Sequence, residues 1–375
     1  MQPFDMLDAD VILEGMATDA YFLRTEETLK DSGKNPDVDI EITADQYPDG
    51  TEELFAGVKD VAALLEGHPV DVEALPEGTL FDGGPVMRIS GPYVDIARYE
   101  TALLGFLSQA SGFATKALRA RNAAPDVQLF SFGARHVHPA IAPVVERSAL
   151  IAGFDGISHV AAGELLGFEA SGTMPHALML CFGRGNQETA WVAFDQAVDD
   201  DVPRIALCDT FSDEVDEVLR AVSALGSNLE SVRIDTTGSR RGNFRHILEE
   251  VRWELDRAGY TDVSLFASGG IDLDALHSLK DIVDGFGIGS FITSADPIDF
   301  ALDIVAVDGT PISKRGKRSG VKSVHRTAEG SVQIEPYEET ETDLLEPLIR
   351  DGTVVRDFSI AEAAKRTTVQ RKYLD

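Results

Sequence analysis

Apolar and polar positions alternate through DVDIEITAD, residues 37–45, and this predicts a strand with one buried face. In EELFAGVKDVAALLEG, residues 52–67, the spacing lengthens toward 3.6 and predicts an amphipathic helix. TEETLKDSG, residues 25–33, predicts a helix stopped at Gly33. GTLFDGGPVMRISGPY, residues 78–93, predicts two short strands around Gly83 and Gly84. A long, largely apolar helix is expected over residues 99–122. Residues 1–115 therefore read as one α/β domain.

After Val127 the pattern changes to short β-rich runs alternating with helical stretches. The strand candidates are VQLFSF, GISHV, AWVAF, RIALCDT, SVRIDTT, VSLFASGG and VDGFGIG, with helices expected in SDEVDEVLRAVSAL and RHILEEVRWELDRAG. Such alternation implies a parallel barrel or a doubly wound sheet. Most of these runs end in Gly, Asp, Thr or Ser, which favours a barrel with polar groups at one rim over residues 116–295. Beyond Ser294 come short strands and a helix, residues 296–375, expected to pack on the N-terminal domain.

Composition narrows the function classes. The chain has 375 residues, 64 acidic against 33 Lys and Arg, and a net charge of −31. A broad basic face for nucleic acid is excluded by that balance. Arg outnumbers Lys, and the acids are spread along the chain. An acidic surface of this kind suits a salt-loaded cytoplasm, where ions screen self-repulsion. Cys181 and Cys208 sit in apolar segments and are expected as buried free thiols. The N-terminal MQPFDMLDAD lacks signal-peptide regions and no apolar run is long enough to span a bilayer, so a cytoplasmic protein is expected.

Chemistry concentrates in glycine-punctuated turns at the ends of the apolar runs. FASGGIDLDAL, residues 266–276, and DGFGIGSFI, residues 284–292, read as an anion cradle of turn N–H groups and helix ends, or as two tight turns. Arg233 and Asp235 alternate on one strand and face one way, for phosphate and ribose contacts or as an internal ion pair. Asp209 and Thr210 end another strand, where they serve a ligand, a helix N-cap or both. His176 follows Gly172 and Thr173 in the same rim series. His136 and His138 form an H-x-H pair without a third ligand, so no metal site is expected. KRGKRSGVKSVHR, residues 314–326, is a basic cluster in an acidic chain, expected as a mobile loop for polyanions.

In their order and spacing, TDAYFLRT, SFGAR, GISHV, GTMPH, CDTF, RID, ASGGID, GFGIGS and the basic loop resemble the nicotinate phosphoribosyltransferase family, type II phosphoribosyltransferases. The resemblance implies an irregular α/β barrel beside an α/β sandwich domain, and a homodimer whose active sites are completed by the neighbouring subunit. It implies nicotinate and phosphoribosyl diphosphate as substrates, with Mg²⁺ and ATP. On this resemblance Tyr21 reaches from the partner and stacks on the pyridine ring, and Phe132 forms the other face. Arg135 pairs with the ring carboxylate. Ser158 replaces the Asp of nicotinamide-using relatives, which favours nicotinate. Arg233 and Asp235 hold the phosphoribosyl group, and Asp209 lies beside the diphosphate and its Mg²⁺. Thr173, Ser268, Gly269, Gly270, Gly289 and Ser290 bind phosphate, and ATP phosphorylates His176. No Cys follows Cys208, so the zinc module of some members is not expected. The alternatives are a quinolinate phosphoribosyltransferase, a nicotinamide-using enzyme, a non-catalytic phosphoribosyl-ligand-binding protein and, weakest, a barrel hydrolase.

Overall fold

The structure is a computed structural model that describes residues 4–46, 53–240, 242–337 and 343–374. Residues 1–3 of the N-terminal stretch and Glu52 of the expected helix lie outside them. The chain divides into two compact units, Met1–Thr115 with Ile151–Gly153 and Ala295–Asp375, and Lys116–Leu150 with Phe154–Ser294.

In the first unit, seven strands form one sheet whose pairings are all antiparallel. The alternating segment forms the strand Asp37–Gln46, flanked by Pro85–Pro92 and Asp299–Val307. Its apolar positions Val38, Ile40 and Ile42 are buried, and each such side chain contributes roughly 1.5–3 kcal/mol. The segment after residue 52 departs from the expected single helix. Glu53–Leu54 is a strand paired with Leu80–Phe81, and the helix Val58–Leu65 starts only after Gly57, whose φ is +96°. Leu80–Phe81 and Pro85–Pro92 are both strands, but they pair with other partners and not with each other. Three cations of the basic loop are neutralised inside this unit. Lys314 and Lys317 meet Asp303 at 2.6 and 3.1 Å, and Lys322 meets Glu41 at 2.6 Å. They are committed to buried acids, contrary to a loop with all its charge free for polyanions.

The second unit holds a six-stranded parallel sheet, curled into a half-barrel. Its strands are β1 (Gln128–Ser131), β2 (Gly156–Ile157), β3 (Ile205–Leu207), β4 (Ser231–Ile234), β5 (Ser264–Ser268) and β6 (Gly285–Ile288), in the order β2-β1-β6-β5-β4-β3. AWVAF is not among them; it lies within the helix Gln187–Ala197. Gln187, Ala190 and Trp191 are its buried positions, spaced as one helical face, and the Trp191 indole N–H donates to the Leu207 carbonyl at 3.3 Å. A five-residue apolar run is compatible with either element, and packing against β3 decided for the helix. Cys181 is exposed, not buried, because Met179 is the residue that its short helix His176–Phe182 turns inward; Cys208 is buried. Among the described residues no helix is long and apolar enough to cross a membrane.

Candidate active site

The C-terminal ends of the parallel strands open into a cavity of about 660 Å³. It gathers Phe132, Arg135, Ser158, Thr173, His176, Arg233, Asp235, Ser268, Gly269, Gly270, Gly289 and Ser290, residues from six separate stretches of the chain. Parallel strands bring this about, since each delivers its following turn to the same rim.

Phe132 follows β1 and is held by its N–H, which donates to the Ile288 carbonyl at 2.7 Å. Gly287 makes room for its ring, since a Cβ there would lie 2.2 Å from it. The Arg233 guanidinium carbon lies 5.9 Å from the centroid of the same ring. Arg135 is exposed at the mouth, its Nε donating to His136 Nε2 at 3.3 Å. His138 instead caps the next turn, its Nδ1 accepting from the Ala140 N–H at 3.2 Å.

Arg233 carries the densest set of contacts. Nη2 donates to the Met174 carbonyl at 3.1 Å and Nη1 to Ser268 Oγ at 3.4 Å, while Asp235 Oδ2 stands 3.7 Å from Nη1. Nε is buried without a partner among the described residues. Burial lowers the guanidinium pKa, and the carboxylates of Asp235 and Asp209 oppose that. The ion pair and the cavity-lining position coexist, and Asp235 is the only carboxylate lining the cavity among the described residues.

In the turn after β5, Gly269 and Gly270 have φ of +82° and +66°. A Cβ on Gly269 would lie 2.4 Å from Asp235 Oδ1. The helix that follows is already capped by Asp272, whose Oδ1 accepts from the Ala275 N–H at 2.9 Å. What the cavity receives from this segment is therefore the turn Ser268–Gly270 and not the helix end.

His176 opens its helix and lines the cavity, with Nε2 2.9 Å from Asp209 Oδ1. The Asp209 side chain is fully buried. Its other oxygen accepts from the Asp235 N–H at 2.6 Å and the Thr236 hydroxyl at 3.3 Å. Both oxygens are thus occupied, and Asp209 serves as the partner of the imidazole. The expected N-cap role falls to Asp213, which accepts from Val215 and Asp216. Buried Glu217 collects the N–H groups of Thr210, Phe211 and Ser212.

The hydrogen bond to Asp209 raises the His176 pKa above its ordinary 6.5, against the opposing effect of burial. A pKa raised by folding stabilises the protein below pH 6.5, and that contribution is lost as pH rises through the folded value. NMR titration is expected to give a His176 midpoint above 6.5, and Asp209→Asn to bring it down. A midpoint unchanged in Asp209→Asn would mean the contact does not control the ring.

Family models for the quinolinate phosphoribosyl transferase N-terminal and C-terminal domains match residues 19–111 and 113–303. The chain is 27% identical to a nicotinate phosphoribosyltransferase of Mycobacterium tuberculosis, over 93% of this chain and 88% of that one. The crystal structure of nicotinate-nucleotide pyrophosphorylase from Pyrococcus furiosus is 47% identical, with a TM-score of 0.95 over 100% of this chain and 99% of that one. The chain belongs to the nicotinate phosphoribosyltransferase family, within the type II phosphoribosyltransferases. Human nicotinic acid phosphoribosyltransferase shares the fold at 21% identity, with a TM-score of 0.79 over 96% and 94% of the two chains.

For this family member, sequence reasoning missed several site residues. His159 lines the cavity and caps the helix Val160–Leu166, its Nδ1 accepting from the Ala162 N–H at 3.2 Å. Ser171 and Pro175 also line the wall. Outside the cavity lining, Glu146 lies fully buried in the helix Ala142–Ile151. The only signal for it was an acid on the face that buries Ala142, Val145 and Ala149. Tyr21 belongs to the first unit, on the helix Ala20–Asp31, and is 57% exposed.

Proposed function

We propose that the protein forms nicotinate mononucleotide and diphosphate from nicotinate and phosphoribosyl diphosphate, with ATP hydrolysis coupled to turnover. One observation carries this reading. A single cavity is lined by Phe132, Arg135 and Ser158, by the glycine turns Ser268–Gly270 and Gly289–Ser290, and by Arg233 and Asp235. Together these supply an aromatic face, cations and turn N–H groups, the chemistry that a flat anionic ring joined to a phosphorylated sugar requires.

In the reaction the ring nitrogen attacks ribose C1, the bond from C1 to the diphosphate oxygen breaks, and its electron pair leaves with the diphosphate. Catalysis of such an oxocarbenium-like step consists mainly of positioning and charge stabilisation. Phe132 and Arg135 orient the ring, Arg233 and the glycine turns hold phosphate, and Asp235 faces the ribose hydroxyls. A bound Mg²⁺ would supply neutralising charge for the leaving diphosphate. Asp235, the carboxylate in the cavity wall, would hold it, with Asp209 buried behind it and bonded to the Asp235 N–H.

Asp209 can only accept, so the imidazole proton lies on Nε2 and Nδ1 is the basic ring atom. Nδ1 is accordingly the atom that takes the phosphoryl group from ATP, releasing ADP. Nicotinate is favoured over quinolinate because Arg135 and Arg233 are the only Lys or Arg side chains lining the cavity among the described residues. A second adjacent carboxylate calls for more positive charge. The family's sandwich-plus-barrel organisation and homodimer belong to the same proposal, with Tyr21 of a second copy covering the ring. Exposed Leu7, Leu13, Met16 and Tyr21 in one N-terminal segment support a covered surface there.

Ser158→Asp tests the ring specificity. A carboxylate at this position repels nicotinate and accepts from a carboxamide, so kcat/KM for nicotinate is expected to fall about tenfold or more relative to nicotinamide. An unchanged ratio would remove Ser158 from ring recognition.

A further inference from the structure

Glu146 is a charged residue with no part in the chemistry above, yet it is buried at 0% exposure next to Ser158 and His159, which line the cavity. Facing its carboxyl are the hydroxyl of Ser131, at the end of β1, and the N–H groups of Ser158 and His159, just past the end of β2. Among the described residues neither carboxyl oxygen nor the Ser131 hydroxyl completes a hydrogen bond of good geometry. Burial pushes the carboxyl pKa up to about 7. A buried acid of this kind is costly unless its neighbours use it. Here the neighbours are the two turns that carry Phe132 with Arg135 and Ser158.

We propose that Glu146 is a positioning residue that sets the separation of the Phe132–Arg135 and Ser158–His159 turns, and through it the fit of the ring carboxylate. The first half is a statement about this fold; the second rests on nicotinate as the substrate. Glu146 touches no substrate itself. It acts by offering one acceptor group to donors on both turns, which the pleat of adjacent parallel strands brings within reach of a single side chain.

The test compares wild type with Glu146→Gln, which keeps an acceptor, and Glu146→Met, which keeps the length and removes it. Hydrogen exchange on the peptide spanning 154–162 is measured without ligand, followed by the KM for each substrate. In Glu146→Met the peptide is expected to exchange about tenfold faster, and the KM for nicotinate to rise about tenfold. Its kcat and its KM for phosphoribosyl diphosphate should stay within about twofold, and Glu146→Gln should restore most of both losses. Equal exchange in wild type and Glu146→Met overturns the positioning role, as does an equal rise in both KM values. If wild type fails to use nicotinate while exchange responds as described, the positioning role stands and the substrate assignment is what falls. Should Glu146→Met not fold, Ser131→Ala, which removes a donor facing the carboxyl, takes its place; faster exchange than in wild type is the expected result, and identical exchange overturns the proposal.

Discussion

Arg233→Ala is expected to lower kcat/KM for mononucleotide formation by about a hundred- to a thousandfold, the scale seen when one preorganised charge contact is removed. Its guanidinium joins three parts of the site at once: the Met174 carbonyl, Ser268 Oγ and Asp235. It also lies over the Phe132 ring. Truncation removes the cation and leaves Asp235 without its counter-charge, so the variant should also melt a few degrees lower. Arg233→Lys should recover little, because an ammonium cannot reproduce a planar fork held at two points. Initial rates at varied donor concentration, together with a thermal melt, check this. A folded Arg233→Ala protein with rates near wild type would mean that Arg233 is only a core ion-pair member.

The second large effect is expected from Gly269→Ala. At φ +82° an L side chain is strained, by about 1–2 kcal/mol. The added methyl would also sit 2.4 Å from Asp235 Oδ1, so either the turn or the carboxylate must move. Both line the cavity, and the proposal gives both to the phosphoribosyl group. The KM for phosphoribosyl diphosphate should therefore rise at least about tenfold, while the KM for nicotinate changes much less. Gly105→Ala is the matched control, since Gly105 lies in the helix Glu100–Ala123 with nothing within 4 Å of an added Cβ. That change should leave kinetics alone and stabilise slightly, by about 1 kcal/mol at most. Equal kinetics for the two variants would show that Gly269 is an ordinary turn glycine.

Much of the site was legible because its signals are local. A glycine pair after an apolar run, as at Gly269, marks a strand-end turn whatever lies around it. Arg233 and Asp235 are two positions apart on a strand, which fixes their common direction from the sequence alone. What was not legible depends on which strands become neighbours. Nothing local shows that Asp209 and His176, 33 positions apart, meet at 2.9 Å. Glu146 was hidden for the same reason: its meaning comes from β1 and β2 being adjacent. In the fold, AWVAF misled because five apolar residues carry too little periodicity to separate strand from helix. The basic loop misled because a run of cations gives no hint that buried Asp303 and Glu41 lie beneath it.

The central claim is the joining of an anionic pyridine to a phosphoribosyl group in this one cavity. Its most direct test offers nicotinate, nicotinamide and quinolinate separately to the purified protein in molar KCl, with phosphoribosyl diphosphate and Mg²⁺, each with and without ATP. Pyridine mononucleotide is the readout. Product from nicotinate, increased by ATP and far above that from the other two rings, is the predicted result. Product from quinolinate alone, or donor binding with no product from any ring, would contradict the account.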